Sequence, residues 1–278
     1  MSETLLEVEG LDVSFPGRGG TTRAVRQASF TLGRERLGIV GESGSGKSTT
    51  GRAILGLIPR PGEVSAKHLS FRGSDLMALD PNGWLALRGR RMSMVMQDPR
   101  YSLNPVLKVG EQIQETYRLH HRTTVADARR RALAMLEAVR IRDPELVYHF
   151  YPHQLSGGMG QRAMIAMMLI AEPDLLIADE PTSALDVTVQ NQVLRILDDL
   201  VRKSGMGLIF ISHNLTVVSS FCDRVLVMYG GRIVEECRAD MLRQAQHPYT
   251  QALVAAAPAI DMPVAQLATV TRDPAWLA

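Results

Sequence analysis

Residues 36–49 read RLGIVGESGSGKST, and this stretch decides the fold. It opens with a short apolar run typical of a buried strand, which ends at Gly41. From about Lys47 to Leu57 the pattern is helical. Between them lies G-x-x-x-x-G-K-[ST], a pattern that binds phosphate when it joins a strand to a helix. The placement meets that condition, so the stretch predicts an α/β fold built around a phosphate-binding loop rather than a plain glycine turn.

Nine consecutive residues make up the predicted phosphate site: Gly41, Glu42, Ser43, Gly44, Ser45, Gly46, Lys47, Ser48 and Thr49. Glycines let the backbone approach closely, and the N–H groups of residues 44–48 can point at the β- and γ-phosphates of a nucleotide. Lys47 is expected to neutralise phosphate oxygens during catalysis, and the Ser48 hydroxyl to ligate Mg²⁺. Several charge-assisted hydrogen bonds, each contributing about 1.5–3 kcal/mol, suffice to hold a nucleotide.

Strands and helices alternate after this loop. The predicted strands are MSMVMQ (92–97), DLLIAD (174–179), GLIFIS (207–212) and RVLVMY (224–229), and VTVQNQVLRILDDLVRKS (187–204) is a predicted helix. Such alternation is typical of a mainly parallel sheet with crossover helices. The stretch VLVMYGGRIVEE (225–236) predicts a hairpin with a two-residue Gly-Gly turn, so the sheet is expected to be mixed.

Other regions depart from that alternation. LLEVEGLDVSF (5–15) and AVRQASFTL (24–32), on either side of the loop PGRGG, predict an N-terminal antiparallel β subdomain. From about Val109 to His153 the spacing is helical, with Leu133, Leu136 and Val139 on one face. We therefore predict one α/β domain over residues 1–245, with an α-helical subdomain inserted at about 97–158. A tail, 246–278, is expected to carry one short helix that begins at Pro248, followed by residues without a firm pattern.

Four polar residues at strand ends complete the predicted chemistry. Asp179 ends the strand DLLIAD, where its carboxylate can reach Mg²⁺, and the adjacent Glu180 points another way and can polarise the attacking water. His213 follows GLIFIS at the carboxyl edge of the sheet, where it can contact the γ-phosphate. Gln97 ends MSMVMQ, where its amide can reach Mg²⁺ or the water. The alternatives are solvated acids, a structural histidine and an ordinary turn residue.

A second helix start has the chemistry of an anion site. In LSGGMGQR (155–162), a serine and two glycines precede an apolar helical run, so free N–H groups and the positive end of the helix dipole are available to an anion. Ser156, Gly157 and Gly158 are therefore expected to bind a phosphate. The sequence thus raises the question of why one chain carries two phosphate-binding helix starts.

Composition excludes several other classes of protein. The 278 residues carry a net charge of +2 and are 45% hydrophobic, which favours a globular protein and is too balanced for a nucleic-acid binder. No apolar run approaches the roughly 20 residues that span a bilayer, and no secretory signal is visible, so we expect a cytosolic protein. Cys222 and Cys237 are expected to be reduced and structural, and His120 and His121 to be solvated.

The motifs together resemble the ATP-binding subunit of ABC transporters, over nearly the whole chain to about residue 255. They follow that family's order: Walker A at 41–48, a glutamine loop at Gln97, LSGGM at 155–159, Walker B at 174–179 with Glu180, SALD at 183–186, and His213. VMQDPRYSLNP, YPHQLSGGMGQR and HPYTQAL are similar to the branch of bacterial importers for oligopeptides, dipeptides and nickel or nickel chelates. The resemblance implies a P-loop NTPase (RecA-like) core that hydrolyses ATP with Mg²⁺.

The resemblance also implies an answer to the question of two anion sites. In that family two ATP-binding subunits face each other head to tail, and the LSGG of one covers the γ-phosphate on the Walker A loop of the other. Ser156, Gly157 and Gly158 would then serve the nucleotide of a partner chain, and Asp186 would connect the two halves. Phe15 would stack on adenine, a contact worth about 1–3 kcal/mol, or would be a packing residue.

Further partners follow from the resemblance. They are a second ATP-binding subunit, which in this branch is often a paralogue and would make a heterodimer, two transmembrane permease subunits and, indirectly, a substrate-binding protein. The chain would then lie on the cytoplasmic face of the bacterial inner membrane. The loop QDPRYSLNP and the helical insertion would receive a short helix of the permease, and the cargo would be a peptide, an opine or a metal chelate.

Two departures and two alternatives accompany this prediction. Met159 stands where most ABC proteins have glutamine, and no cysteine follows Cys237, so we predict no iron–sulfur cluster. The first alternative is a soluble ABC-type ATPase that acts on nucleic acid or ribosomes. It is disfavoured because such proteins usually carry two ATPase halves or long coiled coils. The second is a scaffolding subunit whose partner supplies hydrolysis, and the intact Glu180 and His213 count against it.

Overall fold

The computed structural model describes residues 4–17, 19–99, 102–183, 185–256 and 276. The chain divides into two compact units, one formed by Met1–Asp80 together with Gly207–Ala278 and the other by Pro81–Met206. Arg100 and Tyr101 of the loop QDPRYSLNP, Ala184 of SALD and, apart from Trp276, the predicted patternless tail lie outside the described residues. The predicted boundaries at 97, 158 and 245 remain predictions.

The described strands and helices alternate along most of the chain. The strands are β1 (Leu6–Gly17), β2 (Gly20–Leu32), β3 (Arg36–Val40), β4 (Glu63–Ser65), β5 (His68–Phe71), β6 (Ser74–Asp75), β7 (Met92–Val95), β8 (Leu175–Asp179), β9 (Gly207–Ile211), β10 (Arg224–Tyr229) and β11 (Arg232–Arg238). The helices are α1 (Lys47–Ile54), α2 (Pro81–Leu87), α3 (Val109–His120), α4 (Val125–Ala138), α5 (Pro144–Tyr148), α6 (Gly157–Leu169), α7 (Val187–Ser204), α8 (Leu215–Phe221) and α9 (Pro248–Ala256).

An antiparallel sheet in the first unit is built around β1. This strand pairs with β2 on one side and with β4 and β5 on the other, and β6 continues the sheet beyond β5. Val8 lies opposite Phe30 and Leu69, and all three are buried, whereas Glu7 and Glu9 are exposed. This alternation buries one face of the strand, as its sequence predicts. The strands β1 and β2 reach Gly17 and Gly20, so their connection is shorter than the predicted loop PGRGG.

Parallel strands form the core of the first unit. The strand β3 pairs in parallel with β9 and β10, and β11 runs antiparallel to β10. Leu37, Ile39 and Val40 of β3 are fully buried, as expected for a parallel strand covered on both faces. Gly230 and Gly231 close the predicted hairpin with φ values of 54° and 85°, the positive pair that a type I′ turn requires.

The helix after the phosphate loop is shorter than predicted. It ends at Ile54 rather than near Leu57, because Gly56 adopts a left-handed conformation with φ of 61°. Gly56 N donates to Ala53 O and Leu57 N donates to Arg52 O, the two hydrogen bonds of a Schellman motif. The glycine therefore acts as a helix stop within an otherwise periodic sequence.

The second unit contains the predicted helices and a parallel pair of strands. The strands β7 and β8 pair in parallel, and α3 and α4 lie between them in sequence. The fully buried residues of α4 are Ala128, Ala132 and Leu136, and of the predicted apolar face Leu136 and Val139 are buried and Leu133 is half-buried. The four-residue spacing selects one helix face, and small alanines allow close packing there.

The adjacent histidines are not fully solvated, contrary to prediction. Both are half-buried, and the His121 ring stacks on Tyr117 with ring centroids 4.4 Å apart. A Cβ on Gly89 would lie 2.4 Å from His120 Nε2, so the glycine makes room for that ring. Burial, followed by the charges of His121 and Arg90, lowers the pKa of His120. These histidines therefore help to pack the second unit.

The structure confirms the predicted fold class, a mixed α/β architecture with an antiparallel sheet, parallel strands and inserted helices. The tail helix α9 begins at Pro248, as predicted. Among the described residues, no helix has both the length and the apolar character that a membrane span requires.

Candidate functional site

The predicted site residues are divided between the two units. The first unit holds Phe15, residues 41–49 and His213, and the second holds Gln97, residues 156–158, Asp179, Glu180 and Asp186. Their surroundings are therefore given unit by unit.

The phosphate loop joins β3 to α1 through backbone conformations that require glycine. Gly41 and Gly46 have φ values of 148° and 102°, in the range that residues with a side chain seldom adopt. A Cβ on Gly41 would lie 2.1 Å from Met228 O, and one on Gly46 would lie 2.4 Å from Ala24 O. The glycines thus let the loop lie directly against the neighbouring backbone, with Ser43 and Gly44 at its exposed tip.

Lys47 crosses the loop from its position at the start of α1. Its side chain is 5% exposed, and Nζ donates to Gly41 O and to Glu42 O, each at 2.8 Å. An ammonium group held over the loop backbone places a positive charge beside the N–H groups at the helix start, where phosphate is expected to bind. Ser48 and Thr49 follow it and are half-buried.

Strand β10 and its hairpin turn support the loop from behind. Gly231 N donates to Ser45 O at 3.1 Å, and Arg26 N donates to Gly231 O at 2.7 Å. Thr50 contributes a buried hydroxyl that donates to Gly46 O at 3.0 Å. The hairpin turn therefore has a second role, which is to fix the shape of the phosphate loop.

His213 and Phe15 occupy different positions in the first unit. His213 follows β9 and is exposed, and it lies between Ser212 and Asn214, the residue that caps α8. Phe15 is half-buried on β1, and a Cβ on Gly62 would lie 2.7 Å from its ring. The Phe15 ring therefore packs over the backbone of Gly62, and its predicted contact with adenine stays a prediction.

The predicted acids stand at the end of β8 in the second unit. Asp179 is 3% exposed, whereas Glu180 is half-buried and has a φ of 48°, a left-handed value that is unusual for glutamate. The two adjacent carboxylates thus differ in burial. Gln97 Nε2 donates to Glu180 Oε2 at 3.3 Å, so two predicted residues 83 positions apart are in contact.

A tight turn follows Glu180 and leads into α7. Ser183 donates to Glu180 O through its N–H, at 3.3 Å, and through its hydroxyl, at 3.2 Å. Asp186 then caps α7, because its Oδ1 accepts a hydrogen bond from Val189 N at 3.0 Å. Sequence analysis assigned Asp186 to a contact between subunits, and the structure gives it this local role as well.

The stretch LSGGM (155–159), called the signature stretch from here on, forms the exposed N-terminal end of α6. Ser156 is the N-cap, and its hydroxyl accepts a hydrogen bond from Met159 N at 3.4 Å. Ser156 and Gly157 are exposed, and a Cβ on Gly157 would meet no atom within 4 Å. A Cβ on Gly158, in contrast, would lie 2.7 Å from Val189 Cγ1. Gly157 therefore leaves space at the helix start, and Gly158 permits close packing on α7.

Several predicted residues of the second unit line one cavity of about 800 Å³. The glutamine loop contributes Gln97, the signature stretch contributes Ser156 and Gly157, and the turn before α7 contributes Ser183. The remaining lining is mainly apolar and includes Pro99, Leu103, Pro105, Pro152, Leu155 and Leu185. The structure therefore brings residues that are distant in sequence to one groove.

A glutamine that sequence analysis missed shapes one side of this region. Gln112 is 7% exposed, and its amide oxygen accepts a hydrogen bond from Asn104 N at 2.8 Å. Its amide nitrogen donates to Asn104 O and to Leu107 O, both at 3.0 Å. These bonds tie residues 104–107 to α3, with Val106 74% exposed. A polar residue inside the apolar stripe of a predicted helix was the available signal.

Comparison with known proteins agrees with this geometry. Residues 25–183 match the family described as ABC transporter. The chain is 47% identical over 260 residues to a probable peptide ABC transporter ATP-binding protein of Sinorhizobium fredii, covering 92% of this chain and 78% of that protein. It is 45% identical over 275 residues to a dipeptide transport ATP-binding protein of Bacillus subtilis, covering 98% of this chain and 82% of that protein.

Solved structures of ATP-binding cassettes are similar to this chain as well. The fold is similar to that of a dimeric ATP-binding cassette in a post-hydrolysis state with ADP and phosphate, with a TM-score of 0.74 and 25% identity over 84% of this chain and 99% of the other. The fold of this chain is thus that of a known class of ATPase. The chain belongs to the ABC transporter family, as a subunit that binds ATP and hydrolyses it to drive transport.

Proposed function

We propose that this chain powers a bacterial importer of dipeptides or oligopeptides. The observation that carries the proposal is the identity of 45–47% to peptide and dipeptide transport subunits over more than nine-tenths of the chain. The position of Lys47 over the phosphate loop, the bond between Gln97 and Glu180 and the exposed start of α6 support the proposal. Opine and nickel-chelate transport, which the sequence also predicts, remain predictions, because the relatives reported above are named for peptides.

Hydrolysis is assigned to Glu180, which would polarise the attacking water. The hydrogen bond from Gln97 and the turn at Ser183 hold its carboxylate and its backbone. A residue in the glutamine loop can therefore move this carboxylate directly. Lys47 would neutralise the phosphate oxygens, and His213 would contact the γ-phosphate.

The residues predicted to hold Mg²⁺ fit that ion chemically. Ser48, Gln97 and Asp179 offer hydroxyl, amide and carboxylate oxygens, the donors that Mg²⁺ prefers. Asp179 is 3% exposed, and a buried carboxylate is stabilised by a cation. A bound Mg²⁺ neutralises charge that develops on the phosphate oxygens.

We propose a head-to-tail pair of ATP-binding subunits as the active form. The exposed start of α6, open beside Gly157, supports this arrangement because its free N–H groups suit the γ-phosphate of a partner's nucleotide. A similar solved cassette is dimeric. ATP would favour the closed pair, and hydrolysis would remove the contact that holds it shut. We expect the second subunit to be a paralogue.

The groove lined by Pro99, Leu103 and Pro105 would receive a short cytoplasmic helix of the permease. Its mainly apolar lining suits the apolar face of such a helix. A substrate-binding protein would deliver the peptide, and the ATP-binding subunits would lie on the cytoplasmic face of the inner membrane.

Uptake in intact cells tests the cargo. In a strain that carries Lys47→Ala in place of the native chain, we expect the uptake of labelled di- and oligopeptides to fall to background, because the phosphate site loses its charge. Lys203→Ala, which changes an exposed lysine at the end of α7, is the matched control and should leave uptake unchanged. Normal peptide uptake together with lost nickel uptake in Lys47→Ala would overturn the peptide assignment.

Affinity purification tests the assembly. A tagged chain, extracted from its native membranes in mild detergent, should bring down two permease chains and a second ATP-binding subunit, all identifiable by mass spectrometry. Recovery of two tagged copies without a paralogue would replace the heterodimer by a homodimer. Recovery in the soluble fraction with ribosomal proteins would overturn the transport assignment and favour the alternative of a soluble ATPase.

A further inference from the structure

A tyrosine of the C-terminal helix reaches the phosphate loop. Tyr249 is the second residue of α9 and is 0% exposed. Its hydroxyl oxygen accepts a hydrogen bond from Glu42 N at 2.9 Å, which joins residues 207 positions apart in sequence. A segment outside the recognised nucleotide motifs is thus bonded to the backbone of the first of them.

This contact fixes one end of a single peptide group. Between Gly41 and Glu42, the peptide N–H donates to Tyr249, while the peptide oxygen, Gly41 O, accepts from Lys47 Nζ at 2.8 Å. The bond to Tyr249 uses the N–H of this peptide and does not involve Lys47, so a movement of Lys47 toward a phosphate does not by itself break it. The tyrosine therefore holds the start of the loop independently of the lysine.

Aromatic packing holds the tyrosine in turn. The Tyr249 ring lies with its centroid 4.4 Å from that of Tyr229 and 5.4 Å from that of Trp276, and Tyr229 and Trp276 are themselves 5.4 Å apart. At the start of α9, Gln246 N donates to the Glu235 carboxylate at 2.7 Å. The position of the Tyr249 hydroxyl is therefore fixed by the aromatic cluster and by the bond that ties the start of α9 to β11.

We propose that Tyr249 is a positioning residue of the ATP site, which keeps the Gly41–Glu42 peptide in the orientation that binds phosphate. The inference rests on the assignment of residues 41–49 as that site. A loop that is held before its ligand arrives loses less conformational freedom on binding, so the affinity is higher. Trp276 contributes by packing against the tyrosine ring.

Binding of Mg²⁺-ADP to the full chain, measured by titration calorimetry, tests the proposal without interference from hydrolysis. Tyr249→Phe keeps the ring and removes the hydroxyl, and we expect about fivefold weaker binding, the effect of one neutral hydrogen bond. Tyr148→Phe is the matched control: Tyr148 is also buried, but its hydroxyl donates to Gln114 Oε1 in the second unit. This control should bind Mg²⁺-ADP as the wild type does.

Thermal unfolding and steady-state kinetics separate positioning from general stability. We expect both tyrosine variants to lower the melting temperature by similar amounts. In the assembled transporter, only Tyr249→Phe should raise KM for ATP while leaving kcat unchanged. Trp276→Ala should weaken Mg²⁺-ADP binding in the same direction and by a smaller factor.

Different results would overturn the proposal and the site assignment on which it rests. Wild-type affinity in Tyr249→Phe, or equal weakening in both tyrosine variants, would overturn the proposal while the ATP site stands. A wild-type chain that does not bind Mg²⁺-ADP would instead overturn the assignment of residues 41–49, and this inference with it.

Discussion

At the scale of single residues, Glu180 illustrates what a sequence motif leaves out. Its place after an apolar strand predicts an acid at the edge of the sheet, but its left-handed φ of 48° has no local signal. Such a backbone conformation costs about 1–3 kcal/mol of folding free energy, and it persists only where the surrounding structure holds it. The two bonds from Ser183 and the bond from Gln97 supply that support.

Replacing this carboxylate should separate binding from turnover. For Glu180→Gln in the purified complex, we expect the ATPase rate to fall at least about 100-fold, because general base catalysis typically contributes that much. The dissociation constant for ATP should remain within a few-fold of the wild type. Exposed Glu137 provides the matched control, since Glu137→Gln should hydrolyse ATP normally. Normal hydrolysis by Glu180→Gln would show that another group activates the water.

At the scale of elements, two adjacent glycines at the start of α6 have different surroundings, and only one of them faces α7. Gly158 lies where a side chain would meet Val189, and Gly157 lies where it would meet nothing within 4 Å. The sequence predicts both as phosphate ligands because both open a helix. The structure adds a packing role for Gly158 that depends on the partner helix.

This difference predicts opposite effects of the same substitution. Gly158→Ala should lower the free energy of unfolding by about 1–3 kcal/mol, as overpacking does. Gly157→Ala should raise it by up to about 1 kcal/mol, since alanine is the better helix former. Urea unfolding measures both. Adding Val189→Ala to Gly158→Ala should recover stability, and the absence of such coupling would argue against the predicted clash.

The N-cap of α7 gives a second prediction at this scale. Asp186→Ala should lower the free energy of unfolding by about 1 kcal/mol, because Val189 N loses its acceptor. Asp186→Ser retains a capping oxygen and should unfold close to the wild type in the same urea titration. If Asp186→Ser also has normal ATPase activity in the complex, the predicted role of this carboxylate between subunits would be wrong.

At the scale of the whole molecule, the sequence predicted most of what lies along the chain. The strands β3, β7, β8, β9 and β10 could be predicted because they are mainly apolar and nearly all of their residues are buried, and α7 could be predicted because its apolar stripe is regular. The phosphate loop adds a motif that demands a strand before it and a helix after it. These signals are local, so the fold class follows from them.

The elements and contacts that the sequence did not predict are short, polar or formed between residues distant in sequence. The strands β4 and β6 have no buried residue, and neither does α2, so burial leaves no pattern in their sequences. The bond between Tyr249 and Glu42 spans 207 residues, and the triple contact of Gln112 depends on where a loop returns. Such contacts are set by tertiary packing, which periodicity does not encode.

The buried thiol of Cys222 can be used to measure unfolding of the whole chain. Cys222 is 7% exposed, and burial raises the pKa of its thiol, so little of the reactive thiolate is present at neutral pH. In a Cys237→Ser chain, we expect Cys222 to react with a disulfide reagent orders of magnitude more slowly in buffer than in denaturant. Saturating Mg²⁺-ADP should slow the reaction further, because a ligand that binds only the folded state disfavours opening. A reaction rate that does not depend on denaturant would show that the reagent reaches the thiol through a local opening of the structure.

The distance in sequence between Glu42 and Tyr249 also sets an order of events during synthesis. At about 5–20 residues per second, residue 249 leaves the ribosome roughly 10–40 s after residue 42. Throughout most of that interval β3 has emerged without β9 and β10, the strands that pair with its two edges, so these edges are available to chaperones. A nucleotide that binds only the folded state therefore protects the finished chain from degradation, whereas a nascent chain that stalls before α9 lacks the hydrogen bond from Glu42 N to Tyr249.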